Sequence, residues 1–117
     1  MKVQLSGQHV RFRIDEAELA QLTSGHQVEN RTDLPNASCF VQRVALTRAS
    51  VVDLRIDAGV LALELPADVL AAHVARLPCR DGLQWRFDLH NGASVEVSFD
   101  IDVRDSTRTR MPKRDKR

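Results

Sequence analysis

The sequence contains no tyrosine, one tryptophan and four phenylalanines. Recognition of bases or sugars by stacking needs aromatic faces, so a platform of that kind has little to be built from. Cysteine is scarce too: Cys39 and Cys79 stand forty residues apart, and His9, His26, His73 and His90 are scattered. No Cys-x-x-Cys, His-x-His or His-Glu-x-x-His pairing joins them, which removes the compact metal motifs. The five glycines, at 7, 25, 59, 82 and 92, all fall at turns, so no glycine-rich loop is available to cradle a phosphate. No apolar run approaches the roughly 20 residues that a membrane helix needs. The opening residues MKVQLSGQHV alternate in polarity and lack the continuous apolar centre of a signal peptide. These features lead to the expectation of a protein in a reducing cytoplasm with Cys39 and Cys79 as free thiols.

What the sequence does contain is aliphatic. Hydrophobic residues make up 43% of 117 positions, enough for one core without metals or disulfides. The net charge of +1 conceals an asymmetry. Residues 104–117 carry seven Lys/Arg and two Asp, net +5, which leaves ten Lys/Arg against fourteen acidic residues in 1–103, net −4. Two parts are expected: a domain over 1–103, and a disordered basic tail over 104–117 that has no apolar periodicity with which to pack.

Along 1–103 the alternation of polarity predicts strands. Val3 and Leu5, a turn at Ser6-Gly7-Gln8-His9, then Val10, Phe12 and Ile14 read as a hairpin, with Arg11 and Arg13 on the opposite face. Asp15 and Glu18 have the spacing of an N-cap and its capping box. Ala17, Leu19, Ala20 and Leu22 can share one side of a helix that stops near Ser24-Gly25. Asn30 to Ser38, rich in Asn, Asp, Thr and Pro, reads as a loop. The following strand mixes Cys39, Val41 and Ala45 with Phe40, Val44 and Leu46, a change of phase that a bulge would explain. Val52, Leu54 and Ile56, a turn at Asp57-Ala58-Gly59, and Leu61, Leu63 and Leu65 form a second hairpin. Pro66 and Asp68 then open a second helix, with Val69, Leu70, His73, Val74 and Leu77 as its apolar stripe. Leu83, Trp85, Phe87 and Leu89, the pair Asn91-Gly92, and Val95, Val97, Phe99, Ile101 and Val103 form a third hairpin. Asn-Gly there favours a type I′ turn.

A shift of 51 positions superposes the pattern on itself, pairing Val3 with Leu54, Leu5 with Ile56, Val10 with Leu61, Phe12 with Leu63, Ile14 with Leu65 and Leu19 with Leu70. The expected fold is α+β, a mostly antiparallel sheet with two short helices, built from pseudo-duplicated β-β-α-β(β) halves about an approximate two-fold axis.

The segment Met1-Lys2-Val3, the Gly7 turn, the strand His9-Val10-Arg11-Phe12-Arg13-Ile14, and Glu16, Glu18, Leu19, Leu22 and Gly25 resemble a family of small bacterial proteins without an assigned activity. Weaker similarity lies in Leu61-Ala62-Leu63-Glu64-Leu65-Pro66 and in the closing hairpin. The resemblance implies a compact domain and supplies no catalytic residue. Members of that family tend to end in acidic residues, whereas this chain ends in basic ones.

No residue is assigned a catalytic, cofactor-binding or metal-binding role, and no cofactor is expected. Cys39 and Cys79 adjoin apolar residues, where a thiol is ordinarily inert packing, and no serine sits in a nucleophile elbow. Glu96, Asp100 and Asp102 lie on the polar face of a hairpin and are expected to be solvated. Arg11 and Arg13 would bind an anion if their face were concave. Cross-strand pairing with acidic residues is the favoured reading. The leading functional expectation is a non-catalytic interaction module or homo-oligomer, whose partner is another protein or a second copy, because small sheet proteins carry open edges. The alternative is a small-ligand, anion-binding protein or enzyme with a pocket between helices and sheet. A further alternative is nucleic-acid binding through the basic tail. No membrane partner is expected.

Overall fold

The computed structural model describes residues 1–78 and 81–103. The tail expected over 104–117 and Cys79 lie outside the described residues. Among the described residues eight strands and two helices follow in the order β1 (Lys2–Ser6), β2 (His9–Asp15), α1 (Glu16–Thr23), β3 (Val28–Leu34), β4 (Ser38–Thr47), β5 (Asp53–Asp57), β6 (Val60–Pro66), α2 (Ala67–Val74), β7 (Leu83–Asp88) and β8 (Ser94–Asp102). The fold is α+β, as the alternation predicts, but the strands divide between two four-stranded sheets.

Sheet A has the order β1-β2-β8-β7 and sheet B the order β3-β4-β6-β5. In each, two antiparallel hairpins meet through a central parallel pair, β2 with β8 and β4 with β6. The two halves of the chain, β1-β2-α1-β3-β4 and β5-β6-α2-β7-β8, thus have one element order, and each sheet takes one hairpin from each half. Residues 2, 9 and 16, which open β1, β2 and α1, lie 51 positions before 53, 60 and 67, which open β5, β6 and α2. After the helices the offset grows, because Val74 to Leu83 is longer than Thr23 to Val28. Val44 pairs with Leu63 as Phe99 pairs with Phe12.

Alternation sends one face of each sheet inward. Val10, Phe12, Ile14, Val97, Phe99 and Ile101 from sheet A share one core with Val28, Val44, Leu61, Leu63 and Leu65 from sheet B. Each sheet therefore covers the other's apolar face. The helices instead carry the chain from one sheet to the other, α1 from β2 to β3 and α2 from β6 to β7. They contribute Leu22 and Leu70 to the core.

The two helices begin differently. At α1 the Asp15 carboxylate accepts from the Glu18 amide at 2.8 Å, and Glu18 accepts from the Asp15 amide at 3.0 Å, completing the capping box. Glu18 also pairs with the amino group of Met1. The helix ends as expected, with Gly25 at φ 92 and the His26 amide bonded to the Gln21 carbonyl. Pro66 stands at the N-cap of α2, and no side chain caps that helix.

Three local expectations are corrected. Asn30–Leu34 belongs to β3, paired along its length with β4. It is an edge strand whose side chains are mostly exposed, so backbone pairing overrides the turn-forming character of Asn, Asp and Thr. Strand β4 has no bulge, since its register is unbroken on both sides. Its mixed pattern arises because Phe40, Val44 and Leu46 face the core while Cys39, Val41 and Ala45 occupy the outer face. At Asn91-Gly92 only Gly92 has positive φ. The Gly92 amide bonds Leu89 and the Leu89 amide bonds Ala93, which makes a three-residue loop with the glycine left-handed. Two other turns have two positive φ values, Asn36 (67°) with Ala37 (57°) and Ala58 (52°) with Gly59 (80°).

Candidate functional site at the sheet tips and outer faces

The hairpin tips lie at the ends of the sheets away from the helices, and the apolar inner face runs on beyond the core there. Leu5 is 60% exposed and Ile56 63%, and these are equivalent positions on the edge strands β1 and β5. Leu89 and Leu34, at 37% and 46%, are equivalent positions at the ends of β7 and β3. In sheet A the row from Leu5 passes through Val10, Val97 and Trp85. In sheet B the row from Ile56 passes through Leu61, Gln42 and Asn30. Apolar side chains of the inner face are thus exposed at both edges of each sheet, and Leu5, Leu34, Ile56, Phe87 and Leu89 stand outside the core cluster.

On the outer face of sheet A, Arg11 Nε donates to Asp100 Oδ2 at 2.8 Å across the parallel pair. His9 Nε2 lies 2.8 Å from Ser98 Oγ, and Ser98 is buried. Arg11 is therefore held by an acidic neighbour, as the pairing reading expects, for a contribution of about 0.2–1 kcal/mol at this exposure. Arg13 has no ion-pair partner among the described residues and does not join Arg11 in an anion site. Two shallow depressions of about 330 and 320 Å³ flank His9, one lined by Gln84, Arg86, Glu96 and Ser98 and the other by Gln4, Ser6 and Arg11. Glu96 is exposed opposite Arg86. Gly82 lies against Asp100, where a Cβ would come within 1.9 Å of its Oδ1.

The outer face of sheet B is built otherwise. Arg43, Ala62 and Arg55 form one row across β4, β6 and β5. A hollow of about 340 Å³ opens above them, with Ala45 and Val60 in its floor and Gln27, Asp57 and Glu64 at its rim. Arg43 Nε donates to Glu29 at 2.6 Å. Arg55 donates to Asp53 at 2.8 Å and to Glu64 at 3.2 Å. Sequence reasoning did not find these arginines, because their juxtaposition depends on a strand register that no local pattern announces.

His73 occupies the position in α2 that Leu22 occupies in α1, and it is buried. Burial pushes its pKa below the usual histidine value. The nearby Arg76 guanidinium acts in the same direction, and Asp100 partly opposes both. Arg76 Nη2 approaches His73 Nδ1 at 3.4 Å, so that nitrogen accepts and the proton resides on Nε2. His26 and His90 are exposed, and Cys39 is a half-buried free thiol on the outer face of β4. Among the described residues no three His, Cys, Asp or Glu side chains gather as metal ligands. No helix among them is long and apolar enough to cross a membrane.

Neither the curated proteins nor the solved structures contain a match to the chain. The profile of one family does match, over residues 1–110, nearly the whole chain, and the chain belongs to that family, a family of unknown function (DUF7009).

Proposed function

We propose that the chain is a non-catalytic protein-interaction module, cytoplasmic and bacterial, that associates through the apolar tips of its sheets, in the simplest case with a second copy of itself. The supporting observation is the repetition of one uncovered feature. Leu5 with Leu89, and Ile56 with Leu34, hold equivalent places on the two sheets, so each molecule offers two like surfaces. Aliphatic side chains on edge strands beside unpaired backbone groups favour pairing with another chain. Burying such a side chain contributes roughly 1.5–3 kcal/mol before the cost of association is met.

Sedimentation equilibrium of the full chain across a hundred-fold concentration range tests this. The expected result is a mass that rises with concentration in the native sequence and stays monomeric in the double variant Leu5→Glu/Ile56→Glu, with unchanged circular dichroism. A native chain that remains monomeric throughout, or a variant that associates as strongly, overturns self-association at the tips.

A further inference from the structure

The internal two-fold relation allows the outer faces to be compared residue by residue. Ala62 of sheet B stands where sheet A has Arg11, and Ala45 stands where sheet A has Asp100. In sheet A the ion pair between those two residues fills the middle of the face. In sheet B two methyl groups take its place, and the result is the hollow of about 340 Å³. The space that one half of the molecule fills with a cation and an anion of its own is open in the other half.

We infer that this hollow binds a small zwitterion of the free α-amino acid class. The row Arg43–Ala62–Arg55 sets two guanidinium groups on either side of a methyl floor, with backbones about 9–10 Å apart by strand spacing. A carboxylate above Ala62 has an arginine on each side. Among the described residues Arg43 spends only its Nε–H, on Glu29, and its Nη groups are unengaged. Arg55 uses one N–H on each Nη, leaving Nε free. Such unused donors in a planar fork are what a carboxylate accepts from.

The rest of the lining decides against a simple anion. Asp57 and Glu64 face the same hollow, and Glu29 and Asp53 already pair with its two arginines, so acidic groups around it outnumber basic ones. A phosphate or a dicarboxylate would meet two carboxylates as well as two arginines. A ligand carrying an ammonium beside its carboxylate satisfies both sets, with the ammonium donating to Glu64 or Asp57. Ala45 and Val60 give a short aliphatic side chain a surface to lie on. The volume is at the lower end for small-molecule sites, which suits a free amino acid.

The test is an NMR titration of the ¹⁵N-labelled full chain with L-alanine, and separately with acetate, methylamine and inorganic phosphate. L-Alanine is expected to give saturable shifts at residues 43, 55, 62 and 64, with no change at 11 and 100. Each probe carrying charge of one sign only should bind at least ten-fold more weakly. Ala62→Leu fills the hollow and is expected to abolish saturation. Arg43→Gln, which keeps the aliphatic stem of the side chain but removes the guanidinium and does not alter the floor, should weaken binding at least ten-fold, and it serves if Ala62→Leu does not fold. Acetate or phosphate binding as tightly as L-alanine overturns the zwitterion. No saturable shift with any probe, or undiminished binding by Arg43→Gln, overturns the site.

Discussion

The two sheets share one strand order and one register, yet they are filled in opposite ways. Inside, sheet A places Phe12 against Phe99 at its centre, where sheet B places Leu63 against Val44, all four fully buried. Outside, sheet A is covered by the Arg11–Asp100 pair and the His9–Ser98 contact, while sheet B has alanines and a hollow. At the centre of the outer face an ion pair stands in sheet A where two methyl groups stand in sheet B. Equivalent backbone positions therefore hold unequal shares of stability and of recognition.

The core difference predicts the largest effect. Phe12→Ala should destabilise by about 3–5 kcal/mol, because a ring is removed from the middle of a shared core. Leu63→Ala, at the equivalent position, should cost about 2–5 kcal/mol and fall below Phe12→Ala in the same urea titration. A reversed order would locate the better-packed centre in sheet B and undo the comparison.

Gly82 sharpens the contrast on the outside. It precedes β7 as Gln27 precedes β3, and Gln27 lines the hollow while Gly82 lies against the Asp100 carboxylate. A Cβ at 82 would meet Asp100 Oδ1 at 1.9 Å and the Phe99 carbonyl oxygen at 2.5 Å. Gly82→Ala is therefore expected to cost about 1–3 kcal/mol in thermal or urea unfolding. Adding Asp100→Ala should recover only part, since the carbonyl contact is backbone. Full recovery would mean that the side chain alone sets the close approach.

Much of this architecture is legible in the sequence, for identifiable reasons. The capping box of Asp15 and Glu18, the alternation through Val10, Phe12 and Ile14, and the 51-residue repeat are local or periodic signals. All three reappear in the structure as elements with matching starts. Strand β3 is not legible, because Asn30 to Asp33 show turn chemistry and only pairing with β4 makes them a strand. The division into two sheets is equally hidden, since it depends on which hairpin each half donates. At the candidate sites, Leu5 and Ile56 read as ordinary inward residues until the sheet ends are seen to outrun the core. The pairing of Arg11 with an acidic neighbour is foreseeable from the polar face of β8. The row of Arg43, Ala62 and Arg55 is not, because those residues come from three strands.

The helices extend the comparison to pH. Leu22 and His73 fill equivalent buried places, and only His73 titrates. Its folded pKa is lowered, so the unfolded chain binds a proton more readily. The stability that neutral His73 supports is present above the ordinary histidine pKa and is lost as pH falls below it. His73→Leu, which copies α1, should therefore flatten the decline in melting temperature between pH 7 and pH 5 relative to the native chain. Parallel pH profiles of the two proteins would remove His73 from this account.

The smallest expected effect lies in the turns. The β1–β2 turn places Gly7 at φ 56, whereas its counterpart, the β5–β6 turn, places Ala58 at φ 52 ahead of Gly59 at φ 80. A left-handed alanine costs roughly 1–2 kcal/mol, because its Cβ crowds the following carbonyl, and asparagine tolerates the conformation better. Asn-Gly is the pair that a turn with two positive φ values prefers. Ala58→Asn is accordingly expected to stabilise by up to about 1 kcal/mol in urea titration. Gly59→Ala should do the reverse, because its Cβ would stand 3.1 Å from the Cys39 carbonyl oxygen in addition to the strain. Because Ala58 also borders the hollow, the gain in stability should come without loss of L-alanine binding if the arginine row holds the ligand. If Ala58→Asn stabilises the chain but weakens binding ten-fold, the turn belongs to the recognition surface and the arginine row alone does not define it.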